Sequence, residues 1–145
     1  MARIKLPSLT RSLFETELTL RVTDMNYGGH LGNEVVLSLA HEGRVRFLRA
    51  HGYTELDIGG VGIIMSDAAV VYKSQGRLGE DVRIRIDCQD FHRHGFDMVY
   101  QLSERDSGRE LARVKTGIVF FDYAVNRIAS LPAEFQARVE GGVAG

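Results

Sequence analysis

The sequence predicts an α+β domain, one long helix laid against a curved, mostly antiparallel sheet. Three observations carry it: an alternating apolar segment near the start, a single stretch with helical character, and then a series of strand-like segments separated by short glycine-containing turns. At 145 residues the chain fits one domain spanning 1–145, long enough to bury a core without metals or disulfides.

From Phe14 to Val22 the apolar set Phe14, Leu18, Leu20 and Val22 alternates with Glu15, Glu17, Thr19 and Arg21, the period of a half-buried strand. A loop of turn formers, Thr23 to Gly32, follows and continues neither period. Asn33 to Ala50 is free of Pro; Asn33 suits the N-cap, Glu34 suits the positive end of the helix, and Gly52 supplies the stop. The small residues Ala40 and Gly43 on this helix predict close approach of another element, since an interior Gly costs about 1 kcal/mol of helix propensity. Strands are expected over Val61–Lys73, with a break, and over Asp81–Phe91, Phe96–Ser103 and Glu110–Tyr123, with Val82, Ile84, Ile86 and Cys88 on one face. The last strand has apolar residues on both faces, Val114, Ile118 and Phe120 against Val119 and Phe121, so cover is expected on both, one side being a candidate subunit contact. Ser130, ahead of Leu131-Pro132, is a candidate cap for a short terminal helix through Val139.

Formal net charge is -1 with both signs interspersed, so there is no basic stripe for nucleic acid or an anionic membrane surface. The start, Met1 to Pro7, has no apolar leader and no run approaches the ~20 apolar residues of a membrane span, which predicts a cytoplasmic protein. The single cysteine, Cys88, fits a reducing compartment and a small buried side chain. A sheet covered on one face by one helix leaves its other face to a partner, which predicts a homodimer or homotetramer.

Chemistry-bearing residues concentrate where the loop meets the helix. The run Arg21-Val-Thr-Asp24-Met-Asn26-Tyr27-Gly28-Gly29-His30-Leu31-Gly32-Asn33, then His41-Glu42-Gly43-Arg44 to Leu48 on the helix, and Tyr72 to Asp81 further on, resemble the hot-dog-fold thioesterase superfamily, particularly 4-hydroxybenzoyl-CoA and acyl-ACP thioesterases. The resemblance spans nearly the whole chain. It implies a hot-dog fold and hydrolysis of acyl-CoA or acyl carrier protein thioesters, with Asp24, Asn26, His30 and Glu42 as catalytic candidates and no cofactor or metal. Tyr27, Gly28, Gly29, Leu31, Gly32 and Asn33 are the candidate substrate-binding residues.

Thioester hydrolysis needs a carboxylate to activate water or attack directly, and donors for the oxyanion that forms. Amides near Leu31 to Glu34, beside the positive end of the helix dipole, suit the second task. The family commonly carries Asp-x-Asp in this loop and uses its second Asp; here that position is Asn26, which leaves Asp24 and Glu42 as the available carboxylates. Ordinary roles compete: Asp24 and Asn26 as turn formers, His30 as a side chain flanking the helix, Glu42 as a partner of Arg46 or Ser38 one turn away. Asp90, His92 and His94, at alternate positions, would share a strand face, but no matching ligand pair supports a metal site and a solvated face explains them. Two other functions fit the same motif, a hot-dog hydratase or dehydratase and a non-catalytic acyl-CoA-binding module, although no DNA-binding arm accompanies the domain.

Overall fold

The structure, a computed structural model, describes residues 2–142. One antiparallel sheet contains β1 (Phe14–Thr19), β2 (Gly62–Tyr72), β3 (Asp81–His92), β4 (Gly95–Glu104), β5 (Glu110–Asp122) and the short β6 (Arg127–Ile128). The strand order is β1-β3-β4-β5-β2, with β6 paired to β5. Between β1 and β2 runs α1 (Val35–Ala50), and α2 (Phe135–Glu140) follows the sheet. Because β1 and β2 lie at opposite edges, the segment joining them must cross the whole sheet, and this makes α1 the central helix.

Strand alternation sorts the two faces. Val82, Ile84, Ile86 and Cys88 of β3 are fully buried toward α1, beside Met98, Tyr100 and Leu102 of β4 and Val114, Ile118 and Phe120 of β5. A Cβ on Gly43 would come within 3.1 Å of Ile84 Cγ2, so the small residue is what lets the helix settle on β3. At one end of this core Phe135 of α2 packs against Phe91, Phe96 and Phe120. Burial pushes the Cys88 thiol pKa up, consistent with an apolar, unreactive role.

Several boundaries move for local reasons. β1 ends at Thr19 rather than Val22, because the Asp24 carboxylate accepts the Arg21 amide at 2.8 Å and turns Val22–Asp24 into a 3-10 turn; Val22 is consequently exposed. Asn33 does not cap α1. The Val35 amide bonds back to Gly32 O at 3.0 Å, placing Asn33 inside a turn, and Glu34 occupies the cap position without a side-chain bond. Likewise Glu134, not Ser130, precedes α2. The break expected in the second strand is a register shift between Met65 and Asp67. Asp90 has φ of 52°, and the β3–β4 register shifts between Gln89 and His92, which interrupts the alternation that would align Asp90, His92 and His94. Instead His92 Nδ1 accepts the His94 amide at 3.2 Å, while His94 Nδ1 lies 3.1 Å from Ala129 O.

The outer face of the sheet lies opposite α1. It is charged, with Lys115 2.7 Å from Asp67 and Arg113 2.8 Å from Glu110, and the chain's own N-terminal arm crosses it. Arg113 Nη1 donates to Leu6 O at 2.8 Å, while Arg11 donates to Asp87 at 2.7 Å and to Cys88 O at 2.8 Å. Val119 and Phe121 are half-buried there. The arm's bonds fall on β3 and β5, at Asp87, Cys88 and Arg113, while β1 and β2 are the two edges of the sheet, each bonded to a neighbour on one side only.

At the C-terminal end of α1, His51 is 5% exposed, its Nε2 has no hydrogen-bond partner among the described residues, and the Phe47 ring stands edge-on 5.2 Å away. Burial, and then the nearby Arg138 charge, hold its pKa below the ordinary histidine value. The unfolded chain therefore binds this proton at a higher pH than the folded one. Stability from this residue is complete above about pH 6.5 and is lost as pH falls from there through the lowered folded value. Urea denaturation between roughly pH 7.5 and pH 5 is expected to give a shallower decline for His51→Phe than for the parent chain; equal declines would count against the assignment.

Candidate active site

The 3-10 turn after β1 carries Asp24 beneath α1. Its carboxylate is buried, and Oδ2 takes both the Arg21 amide at 2.8 Å and the Arg21 side chain at 3.5 Å. Oδ1 has no protein partner among the described residues, and it is not among the sealed, unpaired atoms, so solvent reaches it. Asp24 lines a cleft of about 390 Å³ between β1 and α1, whose other polar lining residues include Ser38, Glu42, Arg21 and Arg46.

Both candidate carboxylates thus meet in one cleft, but they differ in engagement. Glu42 is half exposed and its Oε2 accepts Arg46 Nε at 2.8 Å, the one-turn ion pair weighed from spacing. Arg46 also donates to Thr16 Oγ1 and Glu17 O, each at 2.9 Å, tying the helix to β1. Ser38, considered from sequence only as a partner for Glu42, lines the same cleft. Nothing but its helical spacing from Glu42 could have indicated this.

The loop tip is a turn in its own right. Asn26 Oδ1 accepts the Gly28 amide at 2.9 Å and the His30 amide at 3.2 Å, and the Asn26 amide donates to His30 O at 2.8 Å. Gly29 has φ of 79°, a left-handed geometry that favours glycine. Tyr27 stands fully exposed at the tip, and none of Asn26, Tyr27, Gly28, Gly29 or His30 lines the Asp24 cleft. His30 is half-buried, and its backbone bridges to Arg77.

The expected bank of free amides narrows. Leu31 N donates to Gly76 O at 2.8 Å and Gly32 N to Asp24 O at 3.0 Å, so neither is available to a ligand without rearrangement. The Asn33 and Glu34 amides have no partner among the described residues, and they open α1 where its dipole is positive.

One buried network has no counterpart in the sequence expectations. From the surface inward, His41 Nε2 lies 2.6 Å from Glu55 Oε1, Arg44 Nε donates to Glu55 Oε2 at 3.0 Å, Arg44 Nη1 donates to the Tyr100 hydroxyl at 3.0 Å, and that hydroxyl lies 2.7 Å from Thr116 Oγ1. Burial raises the Glu55 carboxyl pKa, but hydrogen bonds from His41 and Arg44 outweigh it and hold the group below its ordinary value. His41 and Arg44 are visible in the helix motif; their common partner Glu55 lies in the following loop, and sequence spacing does not announce it.

Among the described residues there is no cluster of three metal-ligating side chains and no helix long and apolar enough to cross a membrane. No curated protein sequence matches the chain. Among solved structures, it is similar to a 1,4-dihydroxy-2-naphthoyl-CoA thioesterase from Synechocystis at 20% identity and TM-score 0.79, covering 87% of this chain and 94% of that one. A hypothetical protein from Thermus thermophilus aligns at 19% identity and TM-score 0.77, covering 90% and 98%. A gentisyl-coenzyme A thioesterase aligns at 16% identity and TM-score 0.76, covering 87% and 99%. These likenesses share the architecture of one helix on a curved sheet, the hot-dog fold. The family model of the thioesterase-like superfamily matches residues 20–139, from the end of β1 through α2, and the chain belongs to that superfamily.

Proposed function

We propose that the protein hydrolyses acyl thioesters, with Asp24 as the carboxylate that activates water or attacks the thioester carbonyl, and with the Asn33 and Glu34 amides as donors to the oxyanion. The observation that carries this reading is the half-engaged Asp24 carboxylate: Oδ2 is anchored by Arg21, Oδ1 has no protein partner among the described residues, and Asp24 lines a cleft. An anchored carboxylate with one free oxygen is oriented for proton abstraction or attack without first breaking a bond. Glu42, held by Arg46, is the secondary candidate, and Asn26 and His30 serve the loop. The substrate is an acyl group on coenzyme A or acyl carrier protein. Thiol release from a panel of acyl-CoA, acyl carrier protein and short synthetic thioesters is the test, and no release from any of them would remove the reading.

The working unit is proposed to be a homodimer, or a tetramer of two dimers, joined through β2. This strand runs Gly62–Tyr72 with one edge unbonded, and Met65 on it is half exposed, as is Leu37 in part on α1. An edge of this length with apolar flanks is stable in solution when another strand pairs with it. Light scattering is expected to give the mass of two or four chains, and Met65→Arg is expected to shift the distribution toward single chains. A monomer at micromolar concentration would exclude the arrangement.

A further inference from the structure

Between the N-terminal arm and β2 lies a groove of about 520 Å³ whose charged lining is entirely basic: Arg3, Lys5, Lys73 and Arg113. The chain as a whole has 18 Lys and Arg against 19 Asp and Glu, so four cations without an acid in one groove is a local departure. Arg113 is occupied, holding Glu110 at 2.8 Å and Leu6 O at 2.8 Å, and this fixes the arm against the sheet. Lys73 lies near enough to Glu110 to contribute to its lowered pKa, but Arg113 and Gln101 already take that carboxylate's oxygens. Arg3, Lys5 and Lys73 form no ion pair among the described residues. Like charges gathered this way concentrate anions.

The groove adjoins a cleft at the start of α1. Tyr72 and Lys73 also line a second cleft, of about 350 Å³, that reaches Leu31, Asn33 and Val36, and the Tyr72 hydroxyl donates to Asn33 O at 3.0 Å. On the thioesterase reading, a carbonyl held at the Asn33 and Glu34 amides would have Tyr72, Lys73 and the basic groove as neighbours on one side. Biological thiol carriers are phosphorylated, coenzyme A on a pyrophosphate and a ribose phosphate, acyl carrier protein on a single phosphodiester.

We propose that the groove between the N-terminal arm and β2 binds the phosphates of the thiol carrier. Three unpaired cations match the several phosphates of coenzyme A better than one phosphodiester, so coenzyme A is the carrier assigned. This rests on the thioesterase reading, and the experiment separates the two. The full-length chain, its Lys73→Ala variant and its Arg3→Ala/Lys5→Ala variant are assayed with an acyl-CoA, the same acyl group on dephospho-CoA, on acyl carrier protein and on N-acetylcysteamine, which has no phosphate. Both variants are expected to raise KM for acyl-CoA about tenfold, with a smaller rise for dephospho-CoA and none for the N-acetylcysteamine thioester. Equal effects on all substrates, or no effect on acyl-CoA, would overturn the proposal; a rise confined to acyl carrier protein would overturn the choice of carrier. Calorimetric titration with adenosine 3′,5′-bisphosphate provides a readout independent of hydrolysis. Binding to the parent chain that is lost in the variants supports the groove even where no thioester is cleaved, and absence of binding to the parent chain counts against it.

Discussion

Asp24→Asn is expected to lower kcat by about 10² to 10⁴-fold while leaving the fold intact, the range that follows loss of a positioned acid, base or nucleophile. The substitution is nearly isosteric. The amide oxygen of Asn can still accept the Arg21 backbone amide, now 2.8 Å from Asp24 Oδ2, so the 3-10 turn keeps its closing bond. What disappears is the second carboxylate oxygen, the one without a protein partner among the described residues. Glu42→Gln breaks the charge of an exposed one-turn pair with Arg46, an interaction worth about 0.5 kcal/mol, and is expected to change turnover several-fold at most. Thermal melting measured beside turnover distinguishes lost chemistry from lost structure. Wild-type turnover in Asp24→Asn together with an inactive Glu42→Gln would transfer the central role to the helix glutamate.

That pair of variants also marks where sequence reading stops. Periodicity found α1 and the long strands because their burial is one-sided and regular, and Gly43 foretold the approach to Ile84. The loop was harder. Asp24 and Asn26 are the same kind of residue in sequence, short polar turn formers, yet one anchors a turn with a single oxygen and the other uses its side-chain oxygen to close the loop tip. Which amides remain free depends on Gly76, a neighbour distant in sequence that takes the Leu31 amide. The outer face shows the same limit. Val119 and Phe121 are half-buried on that face, and the chain's own N-terminal arm crosses it near Arg113 and Asp87; no local pattern in that arm signals where it docks.

Arg44→Ala is expected to be the most destabilising of the substitutions considered, because it cuts the buried network at its middle. The guanidinium is almost fully buried between Glu55 and the Tyr100 hydroxyl. Removing one partner from such an arrangement typically costs about 3 to 5 kcal/mol, since the groups left behind stay desolvated. Tyr100 and Thr116 are each only 1% exposed and have no route to water, whereas Glu55 is about 29% exposed in its side chain and can rehydrate. The lower end of the range is therefore expected, a fall in Tm of roughly 10 °C for a domain of this size. Tyr100→Phe removes one hydroxyl and leaves Arg44 paired with Glu55, so about 1 to 3 kcal/mol is expected. His41→Ala acts at the exposed end and should cost less than about 1 kcal/mol. A double-mutant cycle across Arg44 and Tyr100 reads their coupling directly, and strict additivity would show that the chain of hydrogen bonds is not an energetic unit. Glu55 also links the network to β2, because its carbonyl accepts the Ile63 amide at 2.8 Å. Loosening Arg44 should therefore weaken the proposed association through the β2 edge before it affects the proposed chemistry at Asp24. Assayed well below its melting temperature, Arg44→Ala should dissociate more readily on dilution than the parent chain while retaining most of its kcat.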